Sequence, residues 1–226
     1  MAINKLMLSY GGIALLFAMT GGLLMGFSVM SENLNKATPT MNNVATNLLL
    51  GQCPLTAGIA NAVIVFFTFL MTIPVIILPS NKSFLRIQGW FVTLCAVFTL
   101  ILGLVIWFDT LATRANLSHV WAQQDATRQG LLQQKFNCCG YMNATSPPFV
   151  QDATCPNALT AVQKQGCVAP FTKFANGYLD LIFTAAFGIV GVDVFLLLTV
   201  VMVVKRRGEL ERYRHIDEKN GNGFGI

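Results

Sequence analysis

The stretch Phe136 to Cys167, FNCCGYMNATSPPFVQDATCPNALTAVQKQGC, decides how this chain is organised. It carries Cys138-Cys139-Gly140, then Cys155-Pro156, then Gly166-Cys167, and lies between the third and fourth of four apolar runs. Adjacent cysteines rarely bond to each other, because a disulfide needs its two Cα atoms well apart. Each of Cys138 and Cys139 therefore needs a distant partner, and Cys155 and Cys167 are the other cysteines of the segment. Excluding the neighbouring pair leaves two pairings open. A disulfide framework between membrane spans places the segment in an oxidising compartment. Four free thiols, or a zinc knuckle, are the competing readings.

The composition points to a bilayer. The chain has 226 residues, 54% hydrophobic and 11% charged, with mean hydropathy +0.59. A soluble domain carries about a quarter charged residues. A spanning helix needs about 20 apolar residues, and residues 6–30, 57–79, 87–108 and 181–204 qualify. The first run is too long for a cleaved signal and lacks a small-x-small cleavage site, so it reads as a retained anchor. Residues 1–5 are then an amino tail, 31–56 a small outer loop, 80–86 a turn, 109–180 a large outer loop and 205–226 a tail.

Basic residues near the span ends set the orientation. Lys5, Lys82, Arg86, Lys205, Arg206, Arg207, Arg212 and Arg214 fall on one side, so both termini are expected in the cytosol. The net charge of +5 reflects this bias rather than a nucleic-acid partner. Within the large loop, Leu111, Ala112, Ala115, Val120, Trp121, Leu131, Leu132 and Phe136 recur at roughly helical spacing. They predict a stalk continuing span three, ended by Gly140 in a left-handed conformation. Residues Tyr141 to Gly166 are too short to bury a core, and a second stalk, Pro170 to Tyr178, leads into span four. The glycine-rich end Asn220–Gly225 reads as disordered.

This layout, an all-α membrane protein of four helices with a disulfide-stapled large outer loop, resembles the tetraspanins. Cys138-Cys139-Gly140, preceded by Leu132 and Phe136 and followed by Cys155 and Gly166-Cys167, carries the resemblance. It implies the pairing Cys138–Cys167 and Cys139–Cys155. It also implies a non-enzymatic organiser that associates laterally with membrane proteins through its spans and large loop. By loop size and overall likeness the chain is similar to the short-loop tetraspanins of filamentous fungi, which are linked to infection-structure function and host penetration. The resemblance implies a plasma-membrane, endosomal or vacuolar location. Two departures stand out: span one lacks a mid-span asparagine, and the cytosolic segments lack cysteines for palmitoylation. Cys95 lies roughly 13 Å past Arg86, deep for an acyltransferase, and Cys53 is expected to be a free thiol.

Asp193 sits at the centre of span four. A lone carboxylate there costs about 2.5–3.5 kcal/mol on insertion scales, so it must find a partner or a proton. Thr20, Asn61 and Thr68 are candidate neighbours. An interhelical hydrogen bond, a polar lining for a bound sterol as the resemblance implies, and a coupling carboxylate in a small four-span transporter or pore are the three readings. Ala14, Ala18, Gly22 and Gly26 repeat every four residues and predict close packing on span two or four, or a homo-oligomer contact. Sequons occur at Asn116, Asn143 and Asn81, with Asn143 the favoured acceptor. Tyr141, Met142, Phe149 and Val150 are the expected exposed apolar residues that select partners. His119 and His215 fall on opposite sides of the membrane, and no metal-ligand spacing, phosphate loop or nucleophile–base pair is present.

Overall fold

The structure is a computed structural model that describes residues 2–77, 82–111 and 113–219. The turn residues Leu78 to Asn81 with their sequon, Ala112 of the expected stalk, and the Asn220–Gly225 end lie outside them. The described residues are helical, with isolated bridges at Asn143–Ser146 and Thr145–Pro148. The helices are α1 (Ala2–Lys36), α2 (Val44–Gln52), α3 (Leu55–Leu70), α4 (Thr72–Ile77), α5 (Lys82–Leu111), α6 (Thr113–Ala122), α7 (Ala126–Phe136), α8 (Ala158–Gln163) and α9 (Val168–Lys219). Four stretches, Lys5–Lys36, Leu55–Ile77, Ser83–Asp109 and Val168–Lys219, are long and apolar enough to cross a membrane. That makes the chain a multi-pass membrane protein by length and composition. It divides into two compact units.

The first unit comprises Met1–Met25, Ile59–Leu100 and Phe187–Ile226. Its helices are apolar all round, with Leu15, Met19, Leu23, Trp90, Val97 and Phe195 among the exposed residues; helices immersed in lipid have this pattern. Burial follows a seam with alternating steps of three and four residues. On α1 it runs Tyr10, Ala14, Phe17, Gly21, and on α3 and α4 Asn61, Val65, Thr68, Thr72, Val75. On α5 it is Leu85, Gln88, Val92, Cys95, Thr99, and on α9 Asp193, Leu196, Val200, Val203, Arg207. A mean period of 3.5 is the seam of a left-handed supercoil. Lipid tails are as apolar as leucine, so small and polar residues rather than hydrophobicity hold such helices together. Accordingly Tyr10 Oη donates to Gln88 Oε1, Gln88 Nε2 to Thr72 Oγ1 at 3.0 Å, and Asn61 Nδ2 to Thr99 Oγ1 at 2.7 Å. Pro74 has no N–H for the Leu70 carbonyl, and the helix is interrupted at Met71.

The reading of the small-residue stripe on α1 as packing within the chain is corrected by this seam. Ala14 is buried and Ala18 half-buried, but Gly22 and Gly26 are exposed with nothing within 4 Å of where a Cβ would stand. Steps of four overshoot a 3.6-residue turn by about 40° each, so the row winds off the buried face within three steps. Gly21, seven residues after Ala14, stays on it: a Cβ there would stand 2.6 Å from Val65 Cγ1. Gly21→Leu is therefore expected to cost about 1–3 kcal/mol of bundle stability through overpacking, and Gly22→Leu nothing measurable. Thermal unfolding of the detergent-solubilised variants checks this, and equal losses would disprove the seam.

The second unit comprises Gly26–Gly58 and Ile101–Ala186. Its core joins Val44, Ala45, Leu48 and Leu49 of α2, Leu117, Val120 and Trp121 of α6, Leu132 of α7, and Phe171 and Ala175 of α9. The segment read as a plain small loop thus contributes a packed helix. The expected single stalk is broken. Asp125 caps α7 by accepting from Arg128 N at 2.9 Å, so Trp121 and Leu132 belong to different helices. The helix stop is Asn137 (φ 49°), not Gly140, which lies three residues later with φ 69°. The second stalk, the fourth span and the basic tail to Lys219 are one continuous helix, with Pro170 tolerated in its first turn.

Candidate functional site

Residues 137–168 form a small head tied to α7 and to the start of α9. Cys138 is bonded to Cys167 and Cys139 to Cys155. On the chain-entropy model, bridges closing loops of this size each stabilise by about 3–4 kcal/mol. Between the cysteines the backbone runs as a short ladder: Cys139 N donates to Gln165 O (3.1 Å), Cys167 N to Gly140 O (3.0 Å) and Val168 N to Tyr141 O (3.0 Å). Two glycines permit this closeness. A Cβ on Gly140 would collide with the Asn143 carbonyl, and one on Gly166 with the Met142 and Tyr141 carbonyls.

Gln133 on α7 is the hub of the head. It is fully buried; its Nε2 donates to Val150 O (2.7 Å) and Asp152 Oδ2 (3.0 Å), and its Oε1 accepts from Gly140 N and Val150 N, both at 3.1 Å. Asp152 Oδ1 in turn accepts from Thr154 N and Cys155 N. Lys135 Nζ donates to Asn42 O at 2.7 Å and lies over the Phe174 ring; desolvation holds its pKa below the usual lysine value. The head's own core is the Cys139–Cys155 bridge with Ala144, Ala161 and Phe149.

The apolar residues expected to be exposed here are partly misplaced. Tyr141 is fully buried, its ring 5.6 Å from that of Trp121, because the positive φ of Gly140 turns the chain back and sends Tyr141 into the core. Phe149 and Val150 are half-buried, while Met142 is 59% exposed. Leu159 (80%) and Val162 (72%) on α8 are more exposed still. Their three-residue spacing puts them on one helix face, a signal present in the sequence that composition alone did not single out. Asn143 is exposed in the head, and Asn116 is exposed on α6.

In the spanning unit, Asp193 is fully buried and neither carboxyl oxygen has a hydrogen-bond partner among the described residues. The three candidate partners are engaged elsewhere. Thr20 Oγ1 donates to its own helix at Phe17 O, Thr68 Oγ1 to Ile64 O, and Asn61 Nδ2 to Thr99. Asn61 Oδ1 is a second buried acceptor without a partner. At the other end of the α9 seam, buried Arg207 donates to Val75 O at 2.8 Å, where the α4 terminus leaves carbonyls free. Cys95 is fully buried beside Thr68.

A cleft of about 260 Å³ in the second unit is lined by Cys53, Asp109, Asn116, His119, Gln52 and Gln123. Cys53 is a free thiol there; burial, and secondarily the Asp109 carboxylate, push its pKa up to about 11. At neutral pH it is protonated and a poor nucleophile. No cluster of three metal-ligating side chains occurs among the described residues.

Set against family models, curated proteins and solved structures, the chain finds no match among them. Function therefore rests on the head and on the seam of the bundle. Nothing in either juxtaposes a nucleophile, a base and an oxyanion site; the head offers a braced surface, and the bundle offers unpaired buried acceptors.

Proposed function

We propose that this chain is a tetraspanin-type membrane organiser whose head, facing the oxidising side, recruits partner membrane proteins while its spans pack laterally beside them. The observation that carries the reading is the apolar face of Leu159 and Val162, with Met142, displayed on a head that two disulfides and Gln133 hold rigid. A small domain that invests this much cross-linking in presenting exposed apolar side chains has a surface preorganised for binding. The basic residues flanking the spans support cytosolic termini, in a plasma-membrane, endosomal or vacuolar setting. The likeness to the fungal short-loop group suggests support of penetration growth as its use.

The test is a mild-detergent pull-down with mass spectrometry from cells expressing wild type or the double variant Leu159→Asp, Val162→Asp. Both residues are exposed, so the fold should survive. At least about a tenfold drop in specific partners is expected, equivalent to about 1.4 kcal/mol, with Cys139→Ser as a second route to the same loss. A protein that purifies alone in every form sinks the reading.

Asp193 favours a second reading. Two unpaired buried acceptors, Asp193 and Asn61 Oδ1, suit a ligand bearing hydroxyl donors, a sterol in the organiser reading, or a transported cation in a four-span transporter or pore. Flux into reconstituted vesicles that Asp193→Asn abolishes would favour the transporter.

A further inference from the structure

Of the three Asn-x-Ser/Thr tripeptides, the two within the described residues sit in opposite settings. Asn116-Leu117-Ser118 is part of α6. Leu117 belongs to the core, Ser118 is half-buried, and Asn116 stands on the wall of the cleft that holds Cys53 and Asp109. It follows Asp109, the end of an apolar span, by seven residues. A bulky group there would crowd a cleft and the membrane surface together.

Asn143-Ala144-Thr145 lies in the tight loop from Met142 to Phe149. Met142 N donates to Ser146 O and Phe149 N to Ala144 O, both at 3.1 Å. Ala144 is drawn inward against the Cys139–Cys155 bridge, and its two neighbours are exposed. The Thr145 N–H and hydroxyl both donate to Asn143 Oδ1 at 2.9 Å, an Asx turn that holds the carboxamide beside the hydroxyl. The amide Nδ2 has no acceptor among the described residues. Everything an N-glycan acceptor needs is therefore assembled: the tripeptide, a non-helical backbone, an exposed amide, and a rigid base to carry a solvated chain.

We propose that Asn143 is the N-glycosylation site of this chain and that Asn116 is left unmodified, an inference that rests on the outward-facing reading of the head. In the transfer, Asn143 Nδ2 bonds to C1 of the first sugar of a lipid diphosphate-linked oligosaccharide. The C1–oxygen bond to the diphosphate breaks, the lipid diphosphate departs, and the Nδ2 proton passes to the transferase's base.

The experiment is expression of the full chain in eukaryotic cells and gel mobility before and after peptide N-glycosidase. Wild type and Asn116→Gln should each lose one glycan's worth of mass, and Asn143→Gln should run at the deglycosylated position untreated. A glycan that persists in Asn143→Gln and vanishes in Asn116→Gln overturns the assignment. The control is Leu159→Thr in the Asn143→Gln background, which gives exposed Asn157 a hydroxyl two residues on. If wild type carries no glycan while the control does, the head faces the lumen and Asn143 is not the site. If neither carries one, the outward-facing reading falls, and the assignment with it.

Discussion

Gly140→Ala and Gly166→Ala are each expected to disorder the head while the four spanning helices remain folded. Gly140 holds φ 69°, and a Cβ there meets the Asn143 carbonyl. The left-handed conformation costs a non-glycine residue about 1–2 kcal/mol, and overpacking against backbone adds about 1–3 kcal/mol. Gly166 lacks the positive φ, but its Cβ would meet three backbone atoms of Tyr141 and Met142, which cannot move without breaking the Val168–Tyr141 and Cys167–Gly140 hydrogen bonds. The measurement is amide hydrogen exchange across residues 137–168, with circular dichroism to follow the helices. Exchange should speed up by orders of magnitude in the head and stay unchanged in the spans. Wild-type protection in either variant would mean the close approach of the two backbone segments is not a feature of the working protein.

Asp193→Leu is expected to stabilise the bundle, which is unusual for replacing a fully buried residue. Neither carboxyl oxygen has a partner among the described residues, so the native bundle bears the cost of dehydrating a polar group and recovers none of it. Leucine has the same branched shape, with two methyl groups where aspartate has two oxygens, and continues the apolar seam to Leu196. The gain is bounded by the insertion cost of the carboxylate, about 2.5–3.5 kcal/mol, and should appear as a rise of several degrees in the detergent unfolding midpoint. A fall of comparable size would mean that Asp193 has acquired a partner in the protein as prepared, most simply a bound ligand. A position that weakens the bundle without bonding inside it is a candidate for recognition rather than for folding.

How much of this was legible depended on the kind of signal. The four spans could be read because 20 consecutive apolar residues leave the backbone no satisfied alternative to a helix in lipid. Cysteine spacing reduced the pairings to two, and the structure holds one of them. The face of α1 that packs within the chain was misjudged, since Ala14, Ala18, Gly22 and Gly26 look like its packing row until the 3.5-residue period of its neighbours is known. Tyr141 was misplaced for a related reason: an apolar residue in a short irregular segment carries no periodicity to say which way it points. Gln133, a polar residue mid-helix, gave no sign that it would become the buried hub of the head.

The amino-acid order therefore settles what one residue or one run can impose: spans by hydrophobic length, a left-handed turn by Gly140, cross-linking by four cysteines. The tertiary structure decided everything that depends on a partner's surface. It chose which glycine of Gly21 and Gly22 is packed, which apolar residues of the head are exposed, and that Asp193 would be buried with no hydrogen bond among the described residues. These are properties of pairs of surfaces, and close packing lets a side chain be accommodated only where its neighbour leaves matching space.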